Sequence, residues 1–188
     1  MKIRIGMMVL LMGLLCTMSV IAEDTPVGQG EAEVQWGPPE ELKQMDGIIG
    51  EWTYTGLYQA LPTDTNWVEH TSEVVYSYVA GGGAIMMDYR GMMMGMEMYG
   101  VGLISYDREL KEWQHMWVDN FVGRQSYYTG SYVEGKHVAS GIDLMNGKEV
   151  QTRITTYDIA EDSFRWMMEN SMDGKSWFVS MKGEYTRK

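Results

Sequence analysis

The chain has 188 residues, enough for one ordinary domain, with 15 basic and 26 acidic residues and a net charge of −11. So acidic a chain has no electrostatic hold on a phosphate backbone or an anionic lipid surface, which sets nucleic-acid binding aside. Its one cysteine, Cys16, falls in an apolar N-terminal run, so the rest of the chain has no disulfide, no thiol nucleophile and no zinc–thiolate site.

In chain order, residues 1–22 read as a secretory signal. Lys2 and Arg4 give the positive start, residues 6–20 form the apolar run, and Val20 and Ala22 occupy the positions a signal peptidase inspects. A lipoprotein signal is the competing reading, but Leu15 stands before Cys16 where processing needs a small residue. An uncleaved anchor is a second competitor, and about 15 apolar residues is short for a spanning helix. Cleavage after Ala22 removes two basic residues and moves the balance to −13. The expected destination is periplasmic or secreted, with no membrane span after cleavage. Residues 23–38, with Gly28, Gly30 and four acidic residues before Trp36, read as a flexible leader. Residues 39–188 read as a single domain.

Pro38-Pro39-Glu40-Glu41 opens a short helix through about Met45. Proline suits a first turn, the two glutamates complement the helix dipole, and Gly47 closes it. From Gly50 the apolar period changes to two. Runs at 50–58, 68–78, 84–94, 96–106, 112–119, 124–133, 137–144, 149–158, 163–170 and 176–186 alternate in the manner of half-buried strands. Glu134-Gly135, Asn146-Gly147 and Asp173-Gly174 between them are hairpin turn signals. Ten sequential strands with tight turns form a meander, and closure hides its two edges. The expected fold is all-β: a roughly ten-stranded antiparallel up-and-down barrel with a short N-terminal helix. Barrels wider than eight strands leave room for an internal ligand.

Three short motifs occur in a fixed order. Gly50-Glu51-Trp52 opens the first strand, Tyr106-Asp107 is followed by Trp117-Val118-Asp119, and the chain ends Glu184-Tyr185-Thr186-Arg187-Lys188. Together they resemble the bacterial family catalogued as domain of unknown function 1579, over residues 40–188. That family is similar to the calycin group of lipocalins and fatty-acid-binding proteins, so the resemblance implies a calycin-like barrel and supplies no activity. It also implies that Trp52 plugs the closed end, with Arg187 of the last strand stacked over it as structural barrel closure.

Residues 86–98 hold seven methionines in 13 positions. Clustered thioethers suit Cu(I), so Met92, Met94, Met96 and Met98 form a candidate periplasmic copper-handling site, with His115 as a further donor. The plain alternative is that methionine fills an irregular barrel wall, and seven more occur in the mature chain. Trp113, His115, Trp117 and Asp119 alternate onto one face, an aromatic wall with a polar end of the kind a small-molecule pocket needs. Asp88 and Arg90 share a face with Met86 and Met92. Inside a cavity that arginine would meet a ligand carboxylate, and on the outside it would form an exposed ion pair.

His70, His115 and His137 show no metal-pair spacing. A lone histidine is an axial haem ligand in the nitrobindins, whose Gly-x-Trp start is distantly similar; the ordinary reading is a polar residue on a strand. No nucleophile elbow, zincin helix, phosphate loop or dinucleotide fingerprint is present, so no catalytic residue is assigned and no cofactor is named. The expected function is binding of a small apolar or amphipathic molecule by Tyr54, Met86, Arg90, Met98, His115 and Trp117, with Asp119 at the rim. An enzyme of unrecognised type is a further alternative.

Overall fold

The computed structural model describes residues 36–59 and 66–188. The expected signal segment and most of the expected leader lie outside them. Ten strands follow one another: β1 (Gly50–Tyr58), β2 (Val68–Val79), β3 (Ala84–Met93), β4 (Met96–Asp107), β5 (Glu112–Asp119), β6 (Ser126–Val133), β7 (Lys136–Met145), β8 (Lys148–Tyr157), β9 (Ser163–Ser171) and β10 (Phe178–Arg187). Each pairs antiparallel with its chain neighbours, and β1 pairs with β10 from Trp52↔Arg187 to Tyr58↔Met181, closing the barrel. Closure leaves no strand edge unpaired, which is how a meander of this length avoids edge-to-edge association.

The turns follow from local chemistry. Met94-Gly95, Glu134-Gly135 and Asn146-Gly147 each have positive φ at both residues, the type I′ geometry whose twist matches the flanking strands. They join β3–β4, β6–β7 and β7–β8 at the positions where the strand period breaks.

The N-terminal segment differs from the expected short helix. It is a 3₁₀ helix, Glu40–Ile48, and it continues past Met45. The cause is visible in its apolar residues: Leu42, Met45 and Ile48 recur every third position, which a helix of three residues per turn lines up on one side. All three are buried. The segment is held to β2 by Tyr78, whose hydroxyl donates to Asp46 and lies 3.4 Å from the Leu42 carbonyl.

The barrel has a closed end and an open end. At the closed end Trp52 is 0% exposed, its Nε1–H donates to the Ile48 carbonyl at 2.7 Å, and Phe164 meets it edge-on at 4.8 Å. The Arg187 guanidinium lies 4.2 Å over the Trp52 ring and donates to the carbonyls of Ile49, Gly47 and Glu161. One cation thus satisfies three carbonyls of the chain that wraps this end and stacks on the indole that fills it, an arrangement worth about 1 kcal/mol for the stacking alone. Above it Phe164 and Tyr185 stack at 4.1 Å, and Tyr76 packs edge-on to both. The open end carries the β3–β4, β5–β6, β7–β8 and β9–β10 turns.

Candidate functional site

Between these ends lies a cavity of about 280 Å³. That is near the lower edge of the roughly 300–1,000 Å³ common for small-molecule sites. Its wall is set by strand parity. Ile85, Met87, Tyr89 and Met93 of β3 point inward, as do Trp113, His115, Trp117 and Asp119 of β5. Ile48 of the 3₁₀ helix, Tyr76 and Tyr185 line it toward the closed end, and Met168, Ile154 and Trp166 contribute from β8 and β9.

Two aromatic rings owe their positions to glycines. Gly56 of β1 faces Gly183 of β10, and the Tyr54 ring lies against both; a Cβ on either would come within 2.5 Å of that ring or its hydroxyl. Gly100 of β4 makes the same space for Trp117, whose ring would sit 2.2 Å from an added Cβ. The flat placement of Tyr54 keeps the centre of the barrel open.

The polar groups concentrate at the open end. Asp119 accepts from Trp117 Nε1 at 2.8 Å, and its other oxygen accepts from the backbone N–H groups of Phe121 and Val122. It therefore orients the indole and shapes the β5–β6 turn at once. Asp143 accepts from Tyr128 Oη at 2.8 Å and from Ser126 Oγ at 2.5 Å, with Arg124 4.0 Å away. Burial, then the Asp143 charge, push the Tyr128 phenol well above its usual range.

Further in, the hydroxyls of Tyr89 and Ser72 pair, as do those of Tyr76 and Tyr185. Several buried atoms have no partner among the described residues: Tyr54 Oη, His115 Nδ1, His137 Nε2 and both nitrogens of His70. Burial lowers His115 from its ordinary 6.5 to about 3, with the neighbouring His137 adding to the effect. Burial alone takes His137 to about 4. The two rings lie 6.4 Å apart, with Tyr128 edge-on to His115 and Trp113 edge-on to His137. Both imidazoles are neutral at physiological pH, because nothing nearby compensates a buried charge.

The residues expected to form a site divide. Tyr54, Met98, His115, Trp117 and Asp119 line the cavity together. Met86 and Arg90 do not: they sit on the outer face of β3, in a surface depression with Tyr99, Val101 and Val118. There Arg90 pairs with Asp88 at 2.9 Å, and its side chain is 66% exposed. The correction is one of parity, since Ile85, Met87 and Tyr89 take the inner positions and a one-residue offset sends the charged set outward. The four candidate copper ligands do not converge. Met92 is outward and exposed, Met94 is in the turn, Met96 is exposed at the rim and Met98 faces the cavity. No cluster of three or more His, Cys, Asp or Glu poised for a metal occurs among the described residues.

Sequence reasoning missed Tyr76, Tyr89, Tyr128, Tyr185 and the Asp143–Arg124 pair. Tyr76, Tyr128 and Tyr185 were within reach, since each lies an even number of positions from an inward residue on its own strand; Tyr89 was not, because Met86, the residue of β3 expected to face inward, has the opposite parity. Asp143 and Arg124 meet only through the β6–β7 pairing and carry no local signature.

Comparison with known proteins adds the fold's relatives. The chain is similar to Rv2717c from M. tuberculosis, at 16% identity and a TM-score of 0.56, over 81% of this chain and 99% of that one. It is also similar to the S-type phycobiliprotein lyase CPES from Guillardia theta, at 11% identity and a TM-score of 0.53, over 78% of this chain and 91% of that one. At these identities the likeness extends to the calycin-like barrel and no further. No curated protein matches the sequence. No helix among the described residues is long and apolar enough to cross a membrane. The family model described as "Protein of unknown function (DUF1579)" matches residues 37–187, and the chain belongs to that family.

Proposed function

We propose that this protein binds a small, partly apolar molecule inside its barrel, and that it does so outside the cytoplasm. The observation that carries this reading is the cavity itself: about 280 Å³, walled by tyrosine, tryptophan and methionine, with its charged groups gathered at one end. A cavity of that size, walled by aromatic and thioether side chains, offers a small apolar molecule close dispersion contacts on every side. The periplasmic or secreted location rests on the N-terminal signal pattern alone.

Catalysis draws less support. One protein of the same fold is named a lyase. In this chain, however, the mouth carboxylates Asp119 and Asp143 are engaged in orienting Trp117, Tyr128 and Ser126. Copper handling by Met92, Met94, Met96 and Met98 is weakened by their dispersal over both faces of the hairpin.

The test is a native mass spectrum of residues 23–188, exported in a bacterial host and purified gently, set beside a denatured spectrum. An adduct released on denaturation supports the reading and gives the ligand's mass; a copper increment would move the methionine segment to first place. A bare protein mass would overturn a tightly held ligand.

A further inference from the structure

Resting on the barrel-binding reading, the structure also bears on what kind of molecule the cavity accepts. Among the described residues, the only charged groups on its wall are Asp119, Arg124 and Asp143, all at the open end, where Arg124 is already within 4.0 Å of Asp143. Two carboxylates against one engaged guanidinium give the entrance an unfavourable field for an anion. Among the described residues no cation lies deeper, and Arg90, the sequence candidate for a carboxylate partner, is on the outer surface. A buried anionic head group would therefore be uncompensated.

One polar side chain inside is nevertheless available. His115 is half-buried and lines the cavity. Its Nδ1 is buried with no partner, and no hydrogen bond contributes to the environment of its ring. The tyrosines toward the closed end differ. Tyr89 pairs with Ser72 and Tyr76 with Tyr185, and Tyr54, though its hydroxyl is unpartnered, is 2% exposed and pressed against Gly56. A neutral imidazole carries one N–H and one lone pair, and here no protein group fixes which nitrogen holds the proton. Such a ring answers a donor or an acceptor equally well, whereas an apolar wall answers neither.

We propose that the cavity selects an uncharged, largely apolar molecule with a single hydrogen-bonding group, a hydroxyl or a carbonyl, and that this group pairs with His115. A long-chain carboxylate of the fatty-acid type is excluded by the same reasoning, as is a plain hydrocarbon by preference.

The experiment compares three probes of matched shape, para-butylphenol, butylbenzene and para-butylbenzoate, titrated into the wild-type protein and the His115→Phe variant at neutral pH. Wild type should bind the phenol roughly tenfold more tightly than the hydrocarbon, the worth of one buried neutral hydrogen bond, with the benzoate weakest. In the variant the phenol and the hydrocarbon should bind alike. Because a core substitution can disturb folding, nitrogen chemical shifts of the histidine rings in the wild type give an independent reading. The phenol should fix the His115 tautomer, and butylbenzene should not. Equal binding of phenol and hydrocarbon to the wild type, or an unmoved His115 signal, would remove His115 as the anchor and leave the barrel-binding reading intact. Tightest binding by the benzoate would overturn the selection against anions. Binding of none of the three at millimolar concentration would overturn the cavity reading beneath both.

Discussion

Acid should loosen this barrel between pH 7 and pH 5, because His115 and His137 are folded in as neutral rings. In the unfolded chain each returns to its ordinary value of 6.5, while in the barrel the values are about 3 and about 4. Between those limits the unfolded state binds more protons than the folded state, so stability rises with pH and is lost as pH falls. The window opens just below pH 7 and runs down to about 4 for His137 and about 3 for His115. From pH 7 to pH 5 the unfolded imidazole goes from about one-quarter to nearly fully protonated while the folded ring stays neutral, a loss of about 2 kcal/mol per histidine. The pair together gives about 4 kcal/mol, a large part of the roughly 5–15 kcal/mol that holds a domain together. His70, lowered in the same direction by burial, adds to the effect.

Urea unfolding followed by tryptophan fluorescence at pH 7, 6 and 5 measures this directly. The His137→Gln variant should lose about half of the pH dependence, whatever its stability at pH 7, since a glutamine cannot titrate. A wild-type midpoint unchanged between pH 7 and pH 5 would refute the argument. So would a His115→Gln, His137→Gln double variant that keeps the full slope.

Other perturbations test the closure and the wall. Trp52→Ala should cost about 3–5 kcal/mol, since the ring is fully buried and its neighbours cannot collapse into so large a void. Arg187→Met should cost about 2–3 kcal/mol by leaving the Gly47, Ile49 and Glu161 carbonyls short of a charged donor; urea melts read both. Gly130→Ala places a Cβ 1.8 Å from the Val138 carbonyl oxygen across β6–β7, and since backbone cannot step aside, the circular-dichroism spectrum of the folded barrel should be lost. For Gly56→Ala the three nearest atoms all belong to the Tyr54 side chain, which can move, so the variant should fold with a penalty of about 1–3 kcal/mol while turning that ring into the cavity and abolishing ligand binding in a calorimetric titration. Under mild peroxide, Met92, Met94 and Met96, which are 50%, 60% and 54% exposed, should oxidise well before Met45 and Met87 in a peptide mass map.

Strand count, strand order and closure were legible because two local signals agree: a period of two in the apolar residues and turn pairs that tolerate positive φ at each break. The helix was legible as an element and misread in type, because Ile48 completes a period of three only when Leu42 and Met45 are counted with it. Which face of β3 looks inward was obscured by methionine. Ile85-Met86-Met87 and Met92-Met93 are continuous apolar runs, so alternation has no phase there. The phase is set from outside the strand, by register with β2, where Tyr76 faces Met87 and Val74 faces Tyr89. The charges were the better guide: Asp88 and Arg90 on one parity mark the solvent side more firmly than methionines mark either. The mouth was illegible for a different reason, since Asp143, Ser126 and Arg124 converge only after β6 and β7 have paired.

The size of the cavity follows from a balance between strand number and side-chain bulk. Ten strands enclose a wider lumen than the eight that side chains alone can fill. This sequence answers with large aromatics on the inner parity, among them Trp52, Tyr54, Tyr76, Tyr89, Trp113, Phe164 and Tyr185, most of them concentrated toward the closed end. Left to project radially, Tyr54 and Trp117 would fill the remainder. The glycines Gly56, Gly183 and Gly100 let them lie along the wall instead. A glycine within a strand costs backbone entropy and surrenders a packed side chain, so such positions weaken the sheet they belong to. Their placement under two rings that bound the same empty space is accounted for if the space has a use. The open volume is then a consequence of where bulk was withheld, and it lies beside His115, an interior side chain whose Nδ1 the fold leaves without a partner among the described residues.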